Sequence, residues 1–228
     1  MRGLFVTGTD TGVGKTVLSA CLLAAMRADG LTVRAYKPVL TGLEEPVEGP
    51  WPRDHELLGE VAGMDPDRVA PLRFGPAVSP HLAAELAGTQ LDPTAIVAGA
   101  ESIASEAGPQ GVTVVEGVGG LLVPLREDYL VRDLAGELGL PVVIAARPGL
   151  GTINHTLLTL EAARAGGLRV AAVAMTPWPA EPDVMTLSNR ATVAATGVPV
   201  ATLPALSGPD LAELAGAGSS LPWRDWLG

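Results

Sequence analysis

The sequence has little of several features that mark other protein classes. Its 228 residues include one cysteine, so an internal disulfide is excluded, and Cys21 lies in an apolar stretch where we expect a core residue. No apolar run has the roughly 20 residues of a membrane span, and no signal-peptide pattern opens the chain. These absences predict a cytoplasmic protein that does not enter a membrane.

Positive charge is also scarce. The chain carries 15 lysines and arginines against 25 acidic residues, a formal net charge of −10. This balance argues against nucleic acid as a partner, because phosphate backbones are bound by basic surfaces. Only two of the basic residues are lysines, Lys15 and Lys37. In a chain that otherwise uses arginine, we expect both to act through their compact ammonium groups.

The sequence does contain a regular alternation of apolar strands and helix-like stretches. A hydrophobic content of 47%, without repeats or a dividing linker, predicts one domain over residues 1–228. The predicted strands are 3–7, 33–36, 112–115, 142–146, 170–174 and 198–202, and the predicted helices are 16–28, 55–61, 80–87, 94–106, 131–138, 152–165 and 185–196. Loops are predicted at 44–53, where Glu44, Glu45 and Glu48 are expected to be solvated, at 178–182, and in the tail from residue 219.

Continuous apolar strands separated by helices predict an α/β fold. Its mainly parallel sheet should have about seven strands, with helices covering both faces. Such a sheet binds ligands beyond the carboxyl ends of its strands. We therefore expect the functional residues to follow directly after the predicted strands.

The first strand leads into the segment GTDTGVGKT, Gly8 to Thr16, which has the pattern of a phosphate-binding loop (P-loop) between a strand and a helix. Its glycines let backbone N–H groups close around phosphate oxygens, and the helix N-terminus adds a positive dipole end. The alternative is an ordinary glycine-rich turn, which has no need of Lys-Thr after its last glycine. The predicted nucleotide contacts here are Gly12, Val13, Gly14, Lys15, Thr16 and Val17.

Two further strand ends carry charged residues. Lys37 ends the second strand, and near a triphosphate it is a candidate to stabilise a phosphoryl group in transfer; the alternative is a solvated strand terminus. Thr41, in the following turn, gains interest only from its closeness to Lys37. Glu116 ends the third strand, where a carboxylate is typical of a Mg²⁺ ligand, and a plain strand-end carboxylate is the alternative. The glycine-rich residues after it allow close backbone approach and add Gly117, Val118 and Gly119 to the predicted nucleotide contacts.

Two other segments are ambiguous from the sequence. Gly151 precedes a predicted helix, and the first turn from Thr152 to Asn154 offers free backbone N–H groups to an anion. Helix capping by Thr152 or Asn154 explains the same residues equally well. Asp54 lies between an acidic, proline-rich loop and a predicted helix, where an N-cap is the simplest interpretation.

Four segments together make the sequence resemble the dethiobiotin synthases. GTDTGVGKT at 8–16, YKPVLTG at 36–42, EGVGG at 116–120 and GTINH at 151–155 are similar to segments of that family, in this order and at these separations. The segment SPH at 79–81 also resembles one of theirs, and the likeness extends from the first strand to about residue 190. The P-loop alone is shared with many ATPases, but its combination with the second and fourth segments is specific.

The resemblance implies a P-loop ligase of biotin synthesis. It would join 7,8-diaminononanoate and CO₂ with MgATP to give dethiobiotin, ADP and phosphate, through a carbamate and a carbamic–phosphoric anhydride. Lys37 would stabilise the carbamate and the transferred phosphoryl group, and Lys15 would hold the β- and γ-phosphates. The implied Mg²⁺ ligands are Thr16, Asp54 and Glu116, and Asp54 is assigned by the resemblance alone.

The resemblance also implies a homodimer with shared active sites. The diamine or its carbamate would be oriented by Thr11, Lys37 and Thr41. Its carboxylate would bind a segment of the other subunit, with contacts at Leu150, Gly151, Thr152 and Asn154.

One departure from the family concerns the nucleotide base. Many relatives carry Asn-Asp after the fifth strand, where their side chains can bind the adenine edge, and this chain has Met175-Thr176. Methionine offers no amide for such a contact, so we expect weak base selectivity. The remaining base-pocket residues are predicted at Pro204, Ala205 and Leu206.

Two other classes of protein share parts of this pattern. A switch ATPase of the partition or septum-positioning type has a related P-loop, but it usually carries a lysine early in the loop and a basic surface for DNA or membrane. The segment Gly8 to Thr11 has no lysine. An amidotransferase-type relative of corrinoid synthesis needs a cysteine nucleophile in a further domain, and Cys21 is not placed for that role.

Overall fold

The computed structural model describes residues 1–47 and 49–227, so the predictions for Glu48 and for the last tail residue lie outside the described residues. The helices are α1 Lys15–Ala28, α2 Asp54–Ala62, α3 Pro66–Val69, α4 Pro80–Leu86, α5 Pro93–Glu106, α6 Val131–Leu138, α7 Thr152–Ala165, α8 Val184–Ala194, α9 Leu211–Ser219 and α10 Trp223–Leu227. The strands are β1 Gly3–Gly8, β2 Val33–Tyr36, β3 Val39–Leu40, β4 Leu72–Arg73, β5 Val112–Gly120, β6 Pro124–Arg126, β7 Tyr129–Leu130, β8 Val142–Ala146, β9 Val170–Trp178 and β10 Val200–Pro204.

The central sheet is parallel and has the strand order β10-β9-β8-β1-β5-β2. This confirms the predicted α/β fold, and all six strands located in the sequence belong to the sheet. The described part of the chain has six strands in this sheet, slightly fewer than the seven or so expected. The other strands pair apart from it, β3 with β4 and β6 with β7.

Helices cover both faces of the sheet, as the continuous apolar strands predict. Successive residues of β1 show the two layers, because Leu4 and Val6 pack into one core cluster and Phe5 packs into the other. The first cluster includes residues of α1, α2, α9 and α10, and the second includes residues of α5, α6 and α7. Cys21 is fully buried in the first cluster, which confirms the expected core position. Within residues 1–47 and 49–227, none of the helices is long and apolar enough to cross a membrane.

Several predicted boundaries, and the predicted loop at the tail, were wrong. β5 continues to Gly120, so Glu116 lies inside the strand rather than at its end, and β9 continues to Trp178 rather than stopping at Ala174. The tail is not a loop, because α10 places Trp223 and Trp226 in the core. Burial of these two rings stabilises the end of the chain against the first core cluster.

Helix α9, which was not predicted from the sequence, packs against α1 at a glycine. A Cβ atom added at Gly218 would overlap the backbone carbonyl of Cys21 and lie 2.9 Å from the Cβ of Ala25. We therefore expect Gly218→Ala to destabilise the protein by about 1–3 kcal/mol, since overpacking against backbone forces the two helices apart. Urea unfolding followed by circular dichroism measures this change.

Gly216→Ala is the matched control on the same helix. A Cβ there meets nothing within 4 Å among the described atoms, and alanine is the better helix former. Its unfolding midpoint should equal or exceed that of the wild type. Equal midpoints for the two variants would contradict the proposed close contact between α1 and α9.

Candidate active site

The P-loop connects β1 to α1 with the geometry of an anion-binding turn. Gly12 and Gly14 have φ angles of +68° and +89°, the left-handed region that favours glycine. Gly14 is the N-cap of α1, and within the described residues no side chain caps this helix. The ammonium of Lys15 folds back across the loop and donates to the carbonyl oxygen of Asp10 at 2.8 Å. The start of α1 therefore keeps backbone N–H groups for a ligand.

Beside the P-loop, a cavity of about 740 Å³ opens at the carboxyl ends of β1, β2 and β5. Many of the predicted site residues line it: Thr11, Gly12, Gly14, Lys15, Thr16, Val17, Lys37, Thr41, Asp54, Val118 and Gly119. No role was assigned from the sequence to the residues of its remaining wall, which are Leu40, Ala77, Val78, Ser79, Pro80 and Val123. This wall is largely apolar, and the charged residues are concentrated at the P-loop side.

Lys37 joins the charged residues of the cavity into one cluster. Its ammonium lies 2.5 Å from Glu116 Oε1 and 2.9 Å from Asp54 Oδ2, and Lys37 is only 3% exposed. The hydroxyl of Thr16 donates to the same Glu116 oxygen at 2.8 Å. The register of the sheet explains the contact between Lys37 and Glu116. Tyr36 pairs with Val115 on the neighbouring parallel strands, and Lys37 and Glu116 directly follow these two residues in the sequence.

The pKa values of the two lysines differ because, among the described residues, Lys37 forms direct ion pairs with carboxylates and Lys15 does not. Burial opposes the charge of Lys37, but the carboxylates of Asp54 and Glu116 outweigh burial and raise its pKa above the ordinary range. Burial, and then the neighbouring Lys37, lower the pKa of Lys15 to about 8. Burial raises the pKa of Asp54, but the ammonium of Lys37 outweighs it and holds that pKa below its ordinary value. An anion beside Lys15 would relieve the repulsion between the two ammonium groups.

The oxygen atoms around Thr16 fit a divalent metal that also binds phosphate. Glu116 is 1% exposed, and its Oε2 atom has no hydrogen-bond partner among the described residues. The Asp54 side chain is 40% exposed at the cavity wall. No group of three or more His, Cys, Asp or Glu residues suited to a metal occurs in the described chain. One or two carboxylates with a hydroxyl suit Mg²⁺, which completes its shell with phosphate oxygens and water.

The structure resolves the ambiguity at Asp54 and Thr152. Arg53, not Asp54, is the N-cap of α2, so capping does not account for Asp54. Helix α7 has Gly151 as its N-cap, with a φ of +91°, and no described side chain caps it. The hydroxyl of Thr152 lies 3.5 Å from that of Thr156 instead. The capping interpretation of Thr152 and Asn154 was therefore wrong, and the α7 N-terminus keeps its N–H groups free of side-chain partners.

Several predicted residues lie outside the cavity. Met175 is fully buried in the second core cluster, between Ala146 and Thr202 on the adjacent strands. Its side chain is therefore not exposed to contact a nucleotide base. Thr176 is buried against the P-loop, where its methyl group would lie 2.9 Å from a Cβ on Gly14. The others are the buried Val13, Glu116 and Gly117, the end of β10 with Pro204, Ala205 and Leu206, and the segment Leu150, Gly151, Thr152 and Asn154.

Two residues near the site were not assigned a role from the sequence. Arg147 follows β8 and donates from Nη2 to the carbonyl oxygens of Thr11 and Gly12, at 3.4 and 3.2 Å. Its position after an apolar strand is the same signal that marked Lys37. Asn189, in the middle of α8, donates to the carbonyl oxygens of Pro148 and Gly149. No sequence pattern connects Asn189 to a loop some forty residues earlier.

Comparison with known proteins identifies the family. A family model described as an AAA domain matches residues 2–208. An ATP-dependent dethiobiotin synthetase BioD of Anaeromyxobacter sp. (strain K) is 43% identical over 219 residues, which cover 94% of each chain. Another, from Mycobacterium sp. (strain KMS), is 42% identical over 206 residues, covering 90% of this chain and 88% of that one. The chain belongs to the dethiobiotin synthetase family.

The solved structures similar to this synthetase-family chain show the fold alone. Apo McdA of Cyanthece superposes with a TM-score of 0.54 at 11% identity, covering 99% of this chain and 97% of that one. A ParA family ATPase from Chlorobium tepidum TLS gives 0.52 at 12% identity, covering 97% and 92%. At such low identity these matches do not favour the switch-ATPase alternative over the synthetase family.

Proposed function

We propose that this protein closes the cyclic urea of dethiobiotin from 7,8-diaminononanoate, CO₂ and MgATP. The observation that carries the proposal is the buried Lys37, which lies beside Glu116 and Asp54 and faces the same cavity as the P-loop. A cation at that point is suited to two successive anions, the carbamate and the transferred phosphoryl group. The family membership and the names of the relatives agree with this chemistry.

The nucleotide would bind with its phosphates in the P-loop. Lys15 would exchange the carbonyl oxygen of Asp10 for the β- and γ-phosphates. The negative charge of the phosphates would also offset the repulsion between the ammonium groups of Lys15 and Lys37. Thr16, Asp54 and Glu116 would hold Mg²⁺, and the unpartnered Oε2 atom of Glu116 is available for that purpose. When bound, the ion would neutralise charge on the β- and γ-phosphates.

The reaction would then proceed mainly by positioning. One amine of the substrate captures CO₂ as a carbamate, and a carbamate oxygen attacks the γ-phosphorus, displacing ADP. The second amine attacks the carbonyl carbon of the mixed anhydride and expels phosphate as the ring closes. Lys37 would stabilise the carbamate and the phosphoryl group, while Thr11 and Thr41 orient the diamine. The apolar wall formed by Leu40, Val78 and Val123 would keep water from the anhydride.

We further propose a homodimer in which each subunit completes the site of the other. Leu150 is 93% exposed although it lies in an ordered turn, and α7 begins without a side-chain cap. Further exposed apolar residues on α7 and α8 are Leu157, Leu158, Val184, Met185 and Leu187. A second copy that covers these residues would bring its segment from Leu150 to Asn154 to the carboxylate of the diamine.

Phosphate release from MgATP with bicarbonate tests the proposed function. The assay compares rates with and without 7,8-diaminononanoate, and mass spectrometry identifies the product. Strong stimulation by the diamine is expected, with a product that has gained a carbonyl group and lost two hydrogens. ATP hydrolysis at the same rate with and without the diamine would contradict the proposal and favour a switch ATPase. Light scattering on the same sample measures whether the protein is dimeric.

We expect this protein to discriminate poorly between nucleotide bases. Met175 is buried in the core and carries no amide, so the base lacks the side-chain edge contact found in many relatives. Thr176 is buried against the P-loop, and the other predicted neighbours, Pro204, Ala205 and Leu206, lack polar side chains. Turnover with GTP and CTP should therefore come within about a hundredfold of that with ATP. A larger preference, above about 2.7 kcal/mol, would contradict the expectation.

A further inference from the structure

A buried amide holds the turn that precedes α7. Asn189 is 7% exposed, and its Nδ2 group donates to the carbonyl oxygens of Pro148 at 2.9 Å and Gly149 at 3.2 Å. The carbonyl of Gly149 also accepts the backbone N–H of Thr152 at 3.2 Å, the bond that closes the turn before the helix. One side chain of α8 thus fixes two carbonyl groups of the turn that leads into α7.

The turn has few other side-chain contacts to fix its shape. A Cβ added at Gly149 would meet nothing within 4 Å among the described atoms, and the side chain of Leu150 is almost fully exposed. Gly151 takes a positive φ, and glycine there is the least restricted residue in an unfixed chain. Without the amide of Asn189, the direction of the N–H groups after Gly151 would depend on a flexible backbone.

The opposite end of the same turn rests on the P-loop. Arg147 donates to the carbonyl groups of Thr11 and Gly12, so the turn is held from two sides. Arg147 fixes the start of the turn, whereas Asn189 fixes the carbonyl groups of Pro148 and Gly149 within it. The N–H groups that would bind a carboxylate come directly after the part held by Asn189.

We propose that Asn189 is a positioning residue for the carboxylate of the diamine substrate, acting through the turn from Pro148 to Gly151. It does not touch the substrate; it aims the backbone N–H groups of the α7 N-terminus. This inference rests on the proposed function and deepens it, because a side chain outside the carboxylate site would fix the direction of the N–H groups that bind the carboxylate. Backbone donors bind an anion well only when they are held in place beforehand.

The test compares two substrates that differ only in charge at the far end. One is 7,8-diaminononanoate, and the other is its carboxamide, which has the same size without the negative charge. Asn189→Ala should lower kcat/KM for the acid by about tenfold or more, since a misplacement of about 1 Å is costly at a positioned site. It should change kcat/KM for the carboxamide and the KM for ATP by less than about threefold.

Asp183→Ala is the matched control. Asp183 caps the same helix by accepting the N–H of Thr186 at 2.7 Å, so its loss destabilises α8 without removing the amide of Asn189. This control should affect acid and carboxamide equally. If Asn189→Ala is too unstable to assay, Asn189→Ser, with a shorter side chain, gives the same comparison.

The outcomes separate this inference from the proposed function. Equal losses for acid and carboxamide in Asn189→Ala, or no loss for either, would overturn the positioning role while leaving the reaction intact. Equal kcat/KM values for the two substrates in the wild type would overturn the carboxylate site and the inference together. Absence of any diamine-stimulated phosphate release in the wild type would overturn the proposed function itself.

Discussion

Lys37→Ala should lower diamine-dependent turnover by about a hundredfold or more, while the affinity for ATP changes by less than about tenfold. The ammonium lies beyond the P-loop, between Glu116 and Asp54, where it would meet the carbamate and the phosphoryl group rather than the α- and β-phosphates. Its loss removes charge stabilisation that is strongest in the transition state. Steady-state phosphate release gives kcat, and a fluorescence titration gives the dissociation constant of ATP.

Arg34→Ala is the control for the loss of a basic side chain on the same strand. Arg34 lies on β2, three residues before Lys37, and its nearest carboxylate is Glu106, 3.9 Å away and far from the cavity. Its removal should leave turnover within about twofold of the wild type. Turnover of Lys37→Ala close to that of the wild type would show that Lys37 is a structural strand terminus after all.

The central sheet was predictable because its strands are apolar on both faces. Leu4, Phe5 and Val6 alternate between two cores, and that continuous apolar pattern marks a buried parallel strand in the sequence. Helices α9 and α10 were missed for a tertiary reason. Gly216 and Gly218 lower the helix propensity of α9, and close packing on α1 stabilises it all the same. The tail helix likewise depends on burying Trp223 and Trp226 rather than on local preference.

Much of the cavity was predictable because the functional residues of a parallel sheet lie just after the carboxyl ends of its strands. Lys37 and Glu116 lie on adjacent strands at the same level, so the rule that singled out each residue also explains their contact. Met175 shows where the rule fails, since four more residues of β9 continue the sheet and turn that side chain into the core. Asn189 could not be found at all, because its partners are backbone carbonyls, which leave no trace in the sequence.

The second large effect is expected at Glu116, which serves both the charged cluster and the proposed metal. In the absence of ligands, Glu116→Ala leaves the buried Lys37 with Asp54 as its remaining carboxylate. Removing one partner of a buried pair typically costs about 3–5 kcal/mol, and the remaining carboxylate should hold the loss near the lower end. Thermal and urea unfolding measure this loss. Glu101→Ala, at an exposed position on α5, should leave stability within about 0.5 kcal/mol.

The same substitution should raise the Mg²⁺ concentration needed for half-maximal turnover by at least about tenfold. Glu116 holds the hydroxyl of Thr16 through Oε1 and keeps Oε2 free, so its loss would remove one metal ligand and the group that orients another. Glu116→Gln separates the two roles. Its amide keeps the volume and an oxygen for Lys37 and Thr16, so stability should recover in part, whereas the Mg²⁺ requirement stays high because a neutral oxygen binds the ion weakly. A Mg²⁺ titration of Glu116→Ala that matches the wild type would remove Glu116 from the metal shell and leave it only the role of a counter-ion to Lys37.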